Sequence, residues 1–92
     1  MHALVVRVKI DPTRLPEAEA MLKDQVVPMS SQRQGFTGGY WLRSLDGTHG
    51  MSIELYESEA AALVVADTAA SAPPNAPVTL DSFEVFEVVA TA

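Results

Sequence analysis

The side chains best equipped for chemistry sit close together in this sequence. Tyr40, Trp41, Arg43 and His49 fall between positions 40 and 49. The phenol of Tyr40 can donate a hydrogen bond to a substrate oxygen, and the indole N–H of Trp41 can do the same from a pocket wall. Arg43 adds a fixed positive charge. An imidazole is the side chain best suited to exchange a proton near neutral pH, which makes His49 the candidate proton acceptor. Tyr40 and His49 are therefore the candidate catalytic residues, with Trp41, Tyr40 and Arg43 as candidate substrate contacts. Each also has a structural reading. Tryptophan is enriched at subunit interfaces, a buried tyrosine often has a satisfied hydroxyl, and a loop histidine is often merely solvated.

Other chemistries find less support. There is no cysteine, so thiolate metal sites and cysteine nucleophiles are excluded. The two histidines are His2 and His49. The first and third strands are expected to be parallel neighbours, which would start both imidazoles at one end of a sheet. A third metal ligand would have to be Asp46, and no metal is expected. Arg7 and Glu54 are expected to share a sheet face, either as a cross-strand ion pair or as an anchor for an anionic ligand. Glu84 and Glu87 are three apart on a strand, so they point to opposite faces and cannot act as a pair. Ser58 caps a helix and is not set in a G-x-S-x-G turn. Gly35, Gly38 and Gly39 flank a strand instead of opening a helix, so they form no phosphate loop.

Composition narrows the partners. Ninety-two residues make one domain, spanning positions 1–92, with a modest core. Six basic residues against twelve acidic ones give a net charge of −6, which repels a phosphate backbone, so nucleic acid is not an expected partner. No apolar run approaches the ~20 residues of a membrane-spanning helix. Arg7 and Lys9 interrupt the apolar start, unlike a signal peptide. A cytoplasmic protein with no membrane contact is expected.

Several elements must position these groups. From His2 to Ile10 the residues alternate, with Leu4, Val6, Val8 and Ile10 on one face and Ala3, Val5, Arg7 and Lys9 on the other. That period predicts a strand, which Asp11-Pro12 ends. Leu15, Ala18, Leu22, Val26 and Met29 then recur at helical spacing. Pro16 suits a first turn, and Glu17 and Glu19 suit the positive end of the dipole. Pro28 removes the hydrogen bond to the Asp24 carbonyl. The helix either stops near Val27 or, the preferred expectation, kinks and continues to about Arg33, with Gly35 as its stop. A second strand is expected over 36–45, a hairpin loop over 46–50 and a third strand over 51–56, with Met51, Ile53 and Leu55 inward. Ser58 is the expected N-cap of a helix running to about Ala70. Pro73-Pro74-Asn75-Ala76-Pro77 reads as a loop. The last strand is expected over about 80–90, apolar on both faces around Val85, Phe86, Val88 and Val89, and hence buried on both sides.

The order βαββαβ predicts an α+β, ferredoxin-like fold: a four-stranded antiparallel sheet, ordered fourth, first, third, second, with two helices on one face. The open face is expected to carry Val5, Trp41, Leu45, Glu54 and Tyr56 with Arg7 and Arg43, while Tyr40 points into a cleft between sheet and helices. A half-apolar open face beside an edge strand predicts pairing with a second copy.

The residues Val26-Val27-Pro28, Gly35-Phe36, Gly39-Tyr40-Trp41, Asp46-Gly47, Gly50, Glu57-Ser58-Glu59-Ala60 and Glu84-Val85-Phe86-Glu87-Val88 together resemble the dimeric α+β barrel superfamily. The likeness is greatest to its short antibiotic-biosynthesis-monooxygenase-like domains. It implies a homodimeric barrel that binds a small apolar or aromatic molecule, with cofactor-independent oxygenation as the activity. In that chemistry a phenolic or anthrone-like substrate loses a proton, and its carbanion donates an electron to dioxygen without metal or flavin. Fold does not by itself imply function, so a non-catalytic dimer that binds a ligand or a protein is the alternative. Haem-binding relatives use an asparagine on the first strand with a tryptophan and a histidine. Here the single asparagine is Asn75, in the proline-rich loop, and no cofactor is expected.

Overall fold

A computed structural model describes residues 1–69 and 75–92. The strands are β1 (His2–Ile10), β2 (Phe36–Arg43), β3 (His49–Tyr56) and β4 (Val78–Glu87), and they form one sheet in the order β2-β3-β1-β4. All neighbours are antiparallel. A helical segment, α1, covers residues 15–31, and α2 spans Glu59–Ala69. The expected architecture and strand order are present. The expected end of the second helix near Ala70 and the Pro73-Pro74 part of the loop lie outside the described residues.

A short 3₁₀ turn, Pro12–Arg14, leads into α1, and the Asp11 carboxylate accepts hydrogen bonds from the Thr13 N–H and hydroxyl at 3.0 and 2.6 Å. The proline inside α1 is absorbed by a change of helical register. Leu15–Met21 is α-helical, Leu22–Val26 is a π turn, and Val27–Ser31 is α-helical again. The Val27 N–H reaches back to the Leu22 carbonyl, so Pro28 opens a new first turn, where a missing N–H costs least. Gly35 then turns the chain with φ of +82°, and its carbonyl accepts the Glu57 N–H at 2.8 Å. A Cβ there would lie 2.9 Å from the Ala61 Cβ, so both backbone conformation and space demand glycine.

The second helix is capped as its sequence suggests, with the Ser58 hydroxyl accepting the Ala61 N–H at 3.2 Å. It buries Ala62, Val65 and Ala66, which share one face at helical spacing, against Leu4 and Tyr56. Phe36 meets Tyr56 edge-on at 5.8 Å between ring centres. By contrast, α1 buries only Ser30. The core therefore lies under α2, and the space under α1 is left open.

Four expectations need correction. First, β1 and β3 are antiparallel: His2 pairs with Tyr56 and His49 with Lys9, so the two histidines stand at opposite ends of the strands. A crossover makes the second strand parallel to the first, and the hairpin then reverses the third. Second, the faces of β2 and β3 are exchanged. Leu4 pairs with Glu54 and Arg7 with Met51, so Glu54 and Tyr56 turn toward the helices while Met51, Ile53 and Leu55 share the open face with Val5 and Arg7. Third, β2 ends at Arg43 and β3 starts at His49, which leaves Leu45 fully exposed in the loop and not on the sheet. Fourth, β4 is the free edge beside β1, and within one chain Phe83 and Phe86 stay exposed instead of being covered on both sides.

Candidate functional site

A cavity of about 680 Å³ separates α1 from the helix-facing side of the sheet. Its apolar walls include Val6 and Val8 from β1 and Leu22, Val26 and Met29 from α1. Trp41 forms the side nearest β2. The indole needs Gly39 beside it, because a Cβ at that position would stand 3.1 Å from the ring and 3.2 Å from the Ile53 carbonyl oxygen. Gly39 is also the cross-strand partner of Glu54, so the aromatic wall and a carboxylate occupy adjoining positions of the sheet.

Glu54 is the unusual group. It lines the cavity yet is only 5% exposed. Its Oε1 accepts the Tyr56 hydroxyl at 3.0 Å and lies 3.8 Å from Nη1 of Arg33. Arg33 also lines the cavity, at the point where the chain leaves α1. Burial, then the adjacent Glu54 carboxylate, push the Tyr56 hydroxyl up to about 12. The hydroxyl thus remains a donor at neutral pH. A carboxylate, a guanidinium and a phenol meet at the edge of an otherwise apolar space, the kind of setting in which ionisable groups are retained for function.

The residues expected to form the site divide between two places. Trp41 and Arg43 line the cavity. Tyr40 pairs with Ile53 on the opposite, open face and is 65% exposed, so it does not point into the cleft between sheet and helices as expected. Trp41 pairs with Ser52 on the helix-facing side instead of on the open face. His49 is exposed at the hairpin end, where it borders a shallower depression with Arg7, Lys9 and Arg43. Its Nδ1 lies 2.8 Å from the Thr48 hydroxyl, which donates to Asp46 at 2.7 Å. Hydrogen bonds from Ser44 and Thr48 hold the Asp46 carboxyl down at about 2. Asp46 therefore organises the turn. Arg7 and Glu54 lie on opposite faces and do not pair, and Glu54 faces Arg33 instead. Arg33, Glu54 and Tyr56 are the site residues that sequence reasoning missed. Glu54 and Tyr56 alternate with Ile53 and Leu55, so an inward carboxylate looked like an outward one.

Among the described residues no three histidine, aspartate or glutamate side chains gather as a metal site, and no helix is long and apolar enough to cross a membrane. The cavity's residues do not fit a haem. Neither histidine lines it, and Met21 and Met29 bring thioethers without the histidine that accompanies methionine in such sites. Tyr56, a phenol that could ligate iron, is committed to Glu54.

No family model and no curated protein sequence matches the chain. Solved structures do. MhuD, a haem degrader from Mycobacterium tuberculosis seen with two haems in its active site, superposes with a TM-score of 0.77 at 21% identity, covering 100% of this chain and 99% of that chain. SnoaB, a cofactor-independent oxygenase from Streptomyces nogalater, gives 0.65 at 19% identity, covering 98% and 94%. The ActVA-Orf6 monooxygenase of Streptomyces coelicolor, in complex with nanaomycin D, gives 0.58 at 17% identity, covering 99% and 91%. At these identities the likeness is one of fold, and the chain shares the α+β fold of these haem-degrader and monooxygenase structures.

Proposed function

We propose that the protein is a homodimer that binds a small, largely apolar aromatic molecule between α1 and the sheet, and that it promotes oxidation of that molecule by dioxygen without metal or flavin. The observation that carries this reading is the open space beneath α1, walled by aliphatic side chains and Trp41 with a buried carboxylate at its edge. Pockets of ~300–1,000 Å³ with a few convergent polar groups suit molecules of two or three fused rings. SnoaB and ActVA-Orf6 supply the oxygenase part of the proposal, on the strength of fold alone.

Dimerisation rests on the open face. Val5, Ile53 and Leu55 sit there beside Tyr40, Leu42 and Phe86, which are 65%, 49% and 42% exposed. A second sheet laid against this face would remove the apolar surface from water. Sedimentation at micromolar concentration is expected to give a dimer, and a clean monomer would overturn that assembly. Ligand binding has a built-in reporter, because Trp41 is the only tryptophan and lines the cavity. Naphthalene-sized aromatics are expected to quench its fluorescence saturably, and a linear, non-saturating response would count against the site.

A non-catalytic reading is favoured by one observation: neither Tyr40 nor His49, the expected catalytic pair, lines the cavity. Oxygen uptake separates a binding protein from an oxygenase.

A further inference from the structure

We infer that Glu54 is the group by which the cavity recognises its ligand. Its Oε2 accepts a hydrogen bond from an O–H or N–H carried on an otherwise apolar aromatic molecule, while Tyr56 and Arg33 position the carboxylate. This inference rests on the cavity reading above and assigns a recognition role within it.

A carboxylate is seldom buried unless its oxygens are well supplied with donors. Glu54 is 5% exposed and its supply is one-sided. Tyr56 donates to Oε1 at 3.0 Å, and Arg33 stands 3.8 Å from that same oxygen, close enough for charge attraction but too far for a hydrogen bond. Among the described residues no group donates to Oε2. Asp46, which is exposed, receives three hydrogen bonds from its own turn, whereas the far more buried Glu54 receives one.

The surroundings leave room for a ligand donor. Glu54 faces Leu4 on one neighbouring strand and Gly39 on the other. Neither offers a polar side chain, and Gly39 offers no side chain at all. The indole of Trp41 lies over Gly39, so a ring stacked or set edge-on against that indole brings its substituents toward the carboxylate. Arg33 offsets the negative charge of Glu54, which lets a neutral donor bind without leaving an isolated anion in an apolar space.

The test compares three probes of similar size on the full chain, with Trp41 fluorescence as readout. 1-Naphthol carries a donor, 1-methoxynaphthalene lacks it, and 1-naphthoate is an anion. The wild-type protein is expected to prefer naphthol over its methyl ether by about ten- to a hundredfold, the range of one hydrogen bond to a charged acceptor. Glu54→Leu is expected to abolish that preference, and Glu54→Gln to reduce it to a few-fold, while affinity for the ether persists and certifies an intact cavity. If a variant fails to fold, the wild-type preference decides alone. Equal wild-type binding of naphthol and ether overturns the role of Glu54 and leaves the cavity reading standing. Tightest binding of naphthoate, unchanged in Glu54→Gln, gives recognition to the arginines and also overturns it. Saturable binding of none of the three overturns both readings.

Discussion

Replacing Leu4 with alanine is expected to lower the free energy of unfolding by about 3–5 kcal/mol. Leu4 is fully buried, on the central strand β1, between Glu54 on β3 and Val85 on β4. It packs in the one buried cluster of the described residues, with Tyr56, Ala62, Val65 and Ala66. Two of those partners are alanines, which bring α2 close to the sheet but have no further atoms to extend into a void. The lost methyl groups would therefore leave a hole in addition to forfeiting their transfer energy. A domain of this size holds only roughly 5–15 kcal/mol in all, so the variant would sit near the edge of folding. Leu45→Ala is the control. Leu45 is fully exposed in the hairpin loop, and its replacement is expected to change stability by less than about 0.5 kcal/mol. Urea unfolding at one fixed protein concentration measures both, since dimer linkage would otherwise move the midpoint. A loss under about 1 kcal/mol for Leu4→Ala would show that the core lies elsewhere.

The same residues explain how much of this fold was legible in the sequence. In β1 one face is uniformly aliphatic and the other carries Arg7 and Lys9, so the period of two assigned the faces correctly. The Pro28 problem was also readable, because Met29 keeps the apolar phase beyond it, and the helix does continue, through a π turn. In β2 and β3 the pattern misled. Ile53 and Leu55 are more apolar than Glu54 and Tyr56, yet the latter pair faces the helices. Both faces of these strands carry apolar side chains, so periodicity alone left a one-residue slip unresolved, and such a slip exchanges every side chain between faces. The register is set by the hairpin, where Asp46 gathers Ser44 and Thr48 and Gly47 turns with φ of +75°. That turn occupies residues 44–48, two earlier than the 46–50 loop the sequence suggested. Once the faces are exchanged the site follows: Tyr40 leaves the cleft, Trp41 enters it, and the buried carboxylate belongs to Glu54. Arg33 carried no sequence signal as a site residue, since a basic residue just before Gly35 also reads as an ordinary helix terminus.

If the protein oxidises its ligand, Glu54→Gln is expected to lower turnover by about 10²- to 10⁴-fold, the contribution of a positioned general base. The reaction to test is anthrone with dioxygen, giving anthraquinone and water. The enol tautomer of anthrone carries the O–H that Glu54 would accept, and removal of that proton leaves the enolate, a stabilised carbanion. The carbanion reduces dioxygen, a C–O bond forms, and the peroxide takes up a proton. Loss of the second C–H proton with cleavage of the O–O bond then yields the ketone and releases water, so each dioxygen places one atom in product and one in water. The protein's share is the first proton. Glu54 lies at the edge of the cavity, is almost wholly removed from water, and has one oxygen without a donor among the described residues. Glutamine keeps the size of the side chain and can still accept the Tyr56 hydroxyl, but it cannot take up the proton. The measurement is dioxygen consumption by metal-free, flavin-free protein, with near-ultraviolet circular dichroism of the variant as a check on folding. Unchanged turnover in Glu54→Gln would remove Glu54 from the chemistry. No uptake by the wild-type protein, with saturable binding retained, would make it a binding protein that shares the oxygenase fold without the reaction.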